Sequence, residues 1–317
     1  MEIGNNMILN SVLIALAVLF VLWVLMNLKT SRPDGKLVRS VPEFRKMMTF
    51  IMKGRNESIV FYDRYVHGEK VLQYLEAAGK KLECDVTHVI VGAAARAFAN
   101  APRMNQFVMG RRLYQRNGIW LTFSMKRKAL DKNAKLSAVK MEIPPGETFE
   151  ELCTRVNAQI NKERSGEKTY SDKELSLLTM IPRAVMVQAV KVFYWLDYHN
   201  LLPGSFITGD GMYTSMFIAN LGSVNMGAAF HHLYEWGNCP LFMMVGKIED
   251  MPVTENGQVV SRKMIHLRFS FDERIDDGLN ARLGIDAIVQ VLEDPFRYLG
   301  SLKQDRSDAV ILTDPLS

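Results

Sequence analysis

The residues whose types and spacing could move a proton lie in two places, the segment Arg262–Gly278 and the adjacent pair His231–His232. In the first, Ile265, Leu267, Phe269 and Phe271 alternate with polar residues, and this period of two predicts a strand with one apolar face. Continuing the alternation puts Glu273 on that face, where desolvation would raise a carboxyl from about 4.3 toward the working range of a general base. The competing reading pairs Glu273 with an arginine, because buried acids are normally paired. Of the six histidines, His67, His88, His199 and His266 have no companion of catalytic type and read as surface or packed residues. On a strand, His231 and His232 would face opposite ways, so only one of them could enter a site. A structural hydrogen bond near Tyr234 and Trp236 is the alternative role for His232.

These residues need a frame, and the sequence signals alternate between helix and strand. Val89–Ala99 is almost wholly apolar and suits a buried helix. Two strand-like runs flank Asn117-Gly118, a hairpin signal. Thr148 and Glu151 form a capping box, followed at helical spacing by Phe149, Leu152, Val156 and Ile160. Ser215–Leu221, Leu241–Val245 and Met264–Phe271 read as strands, and Ile285, Ile288, Val289 and Leu292 form a last helix stripe stopped by Pro295. Ala184–Tyr198 is apolar over most of its circumference, which suits a core helix or else a helix facing a membrane or a substrate channel. Mixed elements without a strict βαβ repeat predict an α/β sandwich with a mixed sheet.

Only Met7–Leu28 departs from a globular composition. Val12–Met26 contains no polar residue, and at about 1.5 Å per residue the run reaches the roughly 30 Å of a bilayer core. Residues 7–28 are therefore expected to be a transmembrane anchor within a domain 1–28. Basic residues follow this run, and the positive-inside rule makes the protein single-pass with its body in the cytoplasm. The net charge of +5 lies in this flank: residues 29–56 hold eight basic and two acidic side chains, whereas residues 57–317 balance to zero. A basic flank with a neutral body argues against nucleic-acid binding. Cys84, Cys153 and Cys239 show neither disulfide nor zinc spacing, and no metal site is expected. Residues 29–44 read as a basic juxtamembrane linker, 45–300 as the functional domain and 301–317 as a tail.

Three motifs fall in a telling order: Pro102-Arg-Met-Asn105, Ile218-Ala-Asn-Leu-Gly222, and the strand leading to Asp272-Glu-Arg-Ile-Asp-Asp-Gly278. Together they resemble the catalytic domain of the 2-oxo acid dehydrogenase acyltransferases and the chloramphenicol acetyltransferase-like superfamily, over roughly residues 45–297. The resemblance implies a chloramphenicol-acetyltransferase-like sandwich, a homotrimer with sites between subunits, and a coenzyme A thioester as co-substrate without any covalently bound cofactor. It also locates two departures. Glu273 stands where the family has its general-base histidine, and Ala219 where a hydroxyl supports the tetrahedral intermediate. Asp272, Arg274, Asp277 and Gly278 match the pattern and hold the motif in shape, as does Asn220 in the second motif. His232 falls in the stretch that helps form the family's active-site channel, where a neutral imidazole would offer an alternative base. With an anchor at the N-terminus in place of a lipoyl domain, ordinary membership of a dehydrogenase complex is not expected. Two functions follow, an acyltransferase taking its acyl group from CoA, or a catalytically inactive trimeric scaffold or binding module of the same fold.

Overall fold

A computed structural model describes residues 2–127, 136–165 and 181–316. Fifteen-residue strands β8 (Leu241–Glu255) and β9 (Gln258–Asp272) form a long hairpin at the centre of the molecule. With β2 (Ile59–His67), β5 (Ile119–Lys126), β6 (Leu136–Ile143) and β7 (Met216–Asn220) they build a six-stranded sheet in the order β2-β9-β8-β7-β5-β6. The sheet is mixed: β7 runs parallel to both β5 and β8, and the other pairs are antiparallel. A second, antiparallel sheet joins β1 (Gly35–Leu37), β4 (Arg112–Arg116) and β3 (Gln106–Met109).

Strand alternation sorts the side chains of the large sheet. Met216, Ile218, Met243, Val245, Leu267 and Phe269 pack beneath α3 (Glu69–Leu82), α4 (Val86–Asn100), α5 (Phe149–Arg164) and α8 (Gly278–Glu293) in the main core. Phe217, Phe242 and Met244 point the other way, into a small core closed by Ala228 and Leu233 of the following segment. Both α4 and α5 begin with capping boxes, Asp85 with His88 and the expected Thr148 with Glu151. The fold is thus an α/β sandwich with a mixed sheet, as the sequence predicts.

Helix α8 packs closely on the Pro102–Asn105 turn that follows α4, where Met104 meets Gly284: a Cβ added to Gly284 would stand 1.3 Å from the Met104 sulfur. Met104 is buried, so it cannot swing into solvent. Gly284→Ala is therefore expected to lower stability by about 1–3 kcal/mol despite alanine's better helix propensity, read as a fall in the urea midpoint.

Three sequence expectations need correction. Residues 29–44 are folded onto the body. Arg32 is buried, ion-paired at 2.9 Å to both Asp34 and Asp197, and bonded to Asn200, while β1 pairs with β4. Against burial, which alone would raise it, Arg32 and Arg116 hold the Asp34 carboxyl below its ordinary value. The last residues are likewise packed: Leu312 is buried, and Arg96 donates to the carbonyls of Ile311 and Asp314. Finally, helix α6 (Arg183–Tyr198) buries only Asp197 and exposes Val185, Val192, Trp195 and Tyr198, so it is not a core helix. Helix α1 (Glu2–Leu28) carries the apolar stretch Ile8–Leu28, 21 residues of mean hydropathy 2.8, long and apolar enough to cross a bilayer and not buried against the body.

Candidate active site

The signature turn begins where β9 ends. Asp272 is fully buried, and its carboxylate accepts from the Arg274 backbone N–H (3.1 Å), the Arg274 guanidinium (2.8 and 2.7 Å) and Ser58 Oγ (2.8 Å). A carboxylate that captures the amide two residues on forms an Asx-turn, and Ile275 N–H closes the turn on the Asp272 carbonyl at 3.1 Å. Glu273 is therefore the first residue of a turn and has left the apolar face on which the alternation would place it. It is half-buried, and among the described residues its carboxylate has no hydrogen bond or ion pair. An arginine does approach, but Arg45 Nη1 reaches the Glu273 carbonyl at 3.3 Å, not the carboxylate. The buried ion pair belongs instead to its neighbours Asp272 and Arg274, at 2.7 Å.

Asp277 is exposed and serves as the N-cap of α8, accepting from Asn280 N–H at 3.0 Å, and Gly278 follows as the first helical residue. The sequence reading missed Asp276, which is buried and ion-paired to Arg103 at 2.8 Å and Arg45 at 3.4 Å. Arg103 lies in the Pro102–Asn105 turn, so the first and third motifs meet physically. The double acid before Gly278 was a visible signal that one carboxylate caps the helix while the other faces inward.

Ala219, on β7, is half-buried against the small core containing Phe242 and Met244, and it offers no hydroxyl. Asn220 ends β7: its Nδ2 donates to Thr87 Oγ1 at 3.1 Å and its Oδ1 accepts from Ser223 N–H. The Ile218–Gly222 motif thus shapes a tight turn in which Gly222 presses on the Gly246 carbonyl, 2.8 Å from where a Cβ would lie.

His231 and His232 lie in a strandless segment, not on a strand, and their rings stack 4.9 Å apart instead of facing opposite ways. His231 also lies flat on Phe242, at 4.6 Å. His232 Nδ1 meets the Leu233 carbonyl at 3.0 Å, and since a carbonyl only accepts, neutral His232 carries its proton on Nδ1 and leaves the Nε2 lone pair available. His232 and Glu273 share no hydrogen bond; loop 54–58 joins their segments. Arg55 donates to the carbonyls of Tyr234 and Glu235 at 2.9 Å, while the Ser58 carbonyl receives Glu273 N–H at 3.0 Å. Burial pushes the Arg55 guanidinium below its ordinary value. Arg55 and Arg274 line a cavity of about 190 Å³ that also contacts Tyr194, Tyr198 and the turn at Gly110. Among the described residues no cluster of three His, Cys, Asp or Glu could hold a metal.

This geometry agrees with the motifs in defining an acyltransferase-like domain. The catalytic domain family of 2-oxoacid dehydrogenase acyltransferases matches residues 210–299, from before β7 to just past α8, and this span contains both His232 and Glu273. A curated relative, the mitochondrial dihydrolipoyllysine-residue succinyltransferase component of the Saccharomyces cerevisiae 2-oxoglutarate dehydrogenase complex, is 27% identical over 167 residues. That match takes in 48% of this chain but only 36% of the relative. Among solved structures, a probable dihydrolipoamide acetyltransferase from Listeria monocytogenes superposes with a TM-score of 0.54 at 16% identity, covering 82% of this chain and 95% of that one. A chloramphenicol acetyltransferase gives 0.50 at 14% identity, covering 81% and 99%. The resemblance read from the three motifs is thereby established, and the fold is the chloramphenicol-acetyltransferase-like one.

Proposed function

We propose that the protein is a membrane-anchored acyltransferase that moves an acyl group from coenzyme A to a nucleophilic acceptor. The observation that carries this reading is the half-buried Glu273 carboxylate, without a partner among the described residues, on a turn held by the Asp272–Arg274 pair. In the step we envisage, Glu273 takes the proton of the acceptor's nucleophile as that atom attacks the thioester carbonyl. The tetrahedral intermediate collapses, the C–S bond breaks, and the CoA thiolate leaves and takes up a proton. His232 Nε2 is the second candidate for the base. Anchoring through residues 7–28, a cytoplasmic body and a homotrimer complete the proposal. Support for the anchor is the length and hydropathy of α1, and support for the orientation is the basic residues that follow it.

A catalytically inactive trimeric scaffold is the second reading, and Ala219 favours it, since no hydroxyl is available there to the intermediate. The two separate in one experiment on the detergent-solubilised full chain. An enzyme is expected to bind CoA in calorimetry and to release thiol from acetyl- or succinyl-CoA in the presence of an acceptor panel. Absence of both CoA binding and thiol release would leave the scaffold.

A further inference from the structure

The turn between β3 and β4, Gly110–Arg111, and the first residue of β4, Arg112, are where three helix C-termini meet. Arg112 donates to the Lys29 carbonyl at 3.2 Å and also to the Asn27 carbonyl, fixing the end of α1. Arg111 donates to the carbonyls of Thr49 (3.1 Å) and Phe50 (2.9 Å), fixing the end of α2 (Glu43–Ile51). Gly110, with φ at +56°, lies under the end of α6: a Cβ there would come within 2.3 Å of the Tyr198 carbonyl oxygen. Asn200, just past α6, also donates to the Lys29 carbonyl at 3.0 Å. The body is therefore bolted to the end of α1 at one point, and α2 and α6 end beside it.

Around that point the surface is apolar and uncovered. Leu28 is 69% exposed, Phe50 56%, Ile51 69%, Trp195 45% and Tyr198 39%. Side chains of this size left in water on neighbouring helix ends mark an interaction surface. Two features select its partner. The patch is continuous with the exposed apolar surface of α1, and its large residues are mainly aromatic, the type that settles at the level of lipid headgroups. It is also basic: Lys46 and Lys53 are exposed, and among the described residues neither Arg111 nor Arg112 has an acidic partner, which suits anionic lipid.

We propose that α2 and the C-terminal half of α6 lie in the headgroup region of the leaflet in which α1 ends, so that the body is held flat on the bilayer. The cavity lined by Tyr194, Tyr198, Arg55 and Arg274 then opens beside the lipid surface. This inference rests on the anchor reading and adds to it an orientation.

The test uses the full chain reconstituted in vesicles of phosphatidylcholine and phosphatidylglycerol. Photoreactive benzoylphenylalanine is placed singly at Phe50, Trp195, Leu16 in α1, and Val259 on the β8–β9 hairpin tip, which is exposed and serves as the reference. After irradiation, mass spectrometry is expected to find lipid adducts at positions 50 and 195 at roughly tenfold the level at 259. Adducts at 50 and 195 no more frequent than at 259, or joined to a second copy of the chain in place of lipid, would overturn the docking. If position 16 gives lipid adducts and the other two do not, the docking alone fails. Silence at position 16 removes the anchor and the docking with it.

Discussion

Asp272→Ala is expected to destabilise the protein by about 3–5 kcal/mol, because it leaves the Arg274 guanidinium buried without its counter-charge. The Asp272 carboxylate receives four hydrogen bonds, and with it go the Asx-turn and, among the described residues, the one carboxylate paired to Arg274. The change should appear as a large fall in the urea midpoint of the detergent-solubilised chain. Arg274→Met combined with Asp272→Leu separates charge from shape. Removing both partners eliminates the stranded charge, so this double variant should recover a substantial part of the loss. It should not recover all of it, because Arg274 also donates to the carbonyls of Met52 and Lys53, just past α2. A midpoint for Asp272→Ala within about 0.5 kcal/mol of wild type, the range of an ordinary surface change, would mean that the pair carries no stability.

The same turn shows what was legible in the sequence and what was not. Alternation from Ile265 to Phe271 specified the strand and its buried face, because a period of two is local and each apolar residue reports on its own burial. It failed one residue beyond Asp272, where a side chain competes with the ladder for the backbone; Asp-x-Arg was the available clue, and only an Asx-turn reading would have used it. Thr148–Glu151 was readable as a capping box, whereas Asp85–His88 makes the same reciprocal bonds with a histidine in the place of the usual glutamate and passed unnoticed. The strap at residues 29–44 was illegible for a different reason. Its Pro, Gly and Ser content is that of a loop, and what pins it is Arg32 meeting Asp197, 165 residues away. No local pattern encodes a contact of that separation. Helix α6 marks a third limit, since apolar residues around a helix state that something should cover it without stating what. The histidine pair was misread because strand geometry was assumed for a segment that lies across the sheet as irregular chain, where ring stacking on Phe242 sets the side-chain directions.

Glu273→Gln is expected to lower thiol release from acyl-CoA, with the true acceptor present, by about 10²–10⁴-fold. The substitution keeps the shape of the side chain and removes the carboxylate. It should leave the urea midpoint within about 0.5 kcal/mol of wild type, because among the described residues the Glu273 carboxylate holds no partner and the turn is secured by its backbone and by Asp272. That contrast with Asp272→Ala distinguishes a chemical role from a structural one at adjacent positions. His232→Ala should produce the same loss only if Nε2 is the base, and its stability cost should be small, since His232 is exposed and among the described residues its ring hydrogen-bonds the neighbouring Leu233 carbonyl and otherwise lies against the rings of His231 and Tyr234. A large loss in one variant alone assigns the proton transfer to that residue, and that variant should also lose the corresponding limb of the pH–rate profile. Wild-type turnover in both would exclude both as the base. The complementary variant, Glu273→His with Ala219→Ser, installs an imidazole on the Asx-turn and a hydroxyl on β7. In a protein otherwise without turnover, CoA-dependent thiol release gained by this variant would locate the deficiency in two side chains, with the β9 turn, the β7 end and the subunit arrangement still competent for acyl transfer.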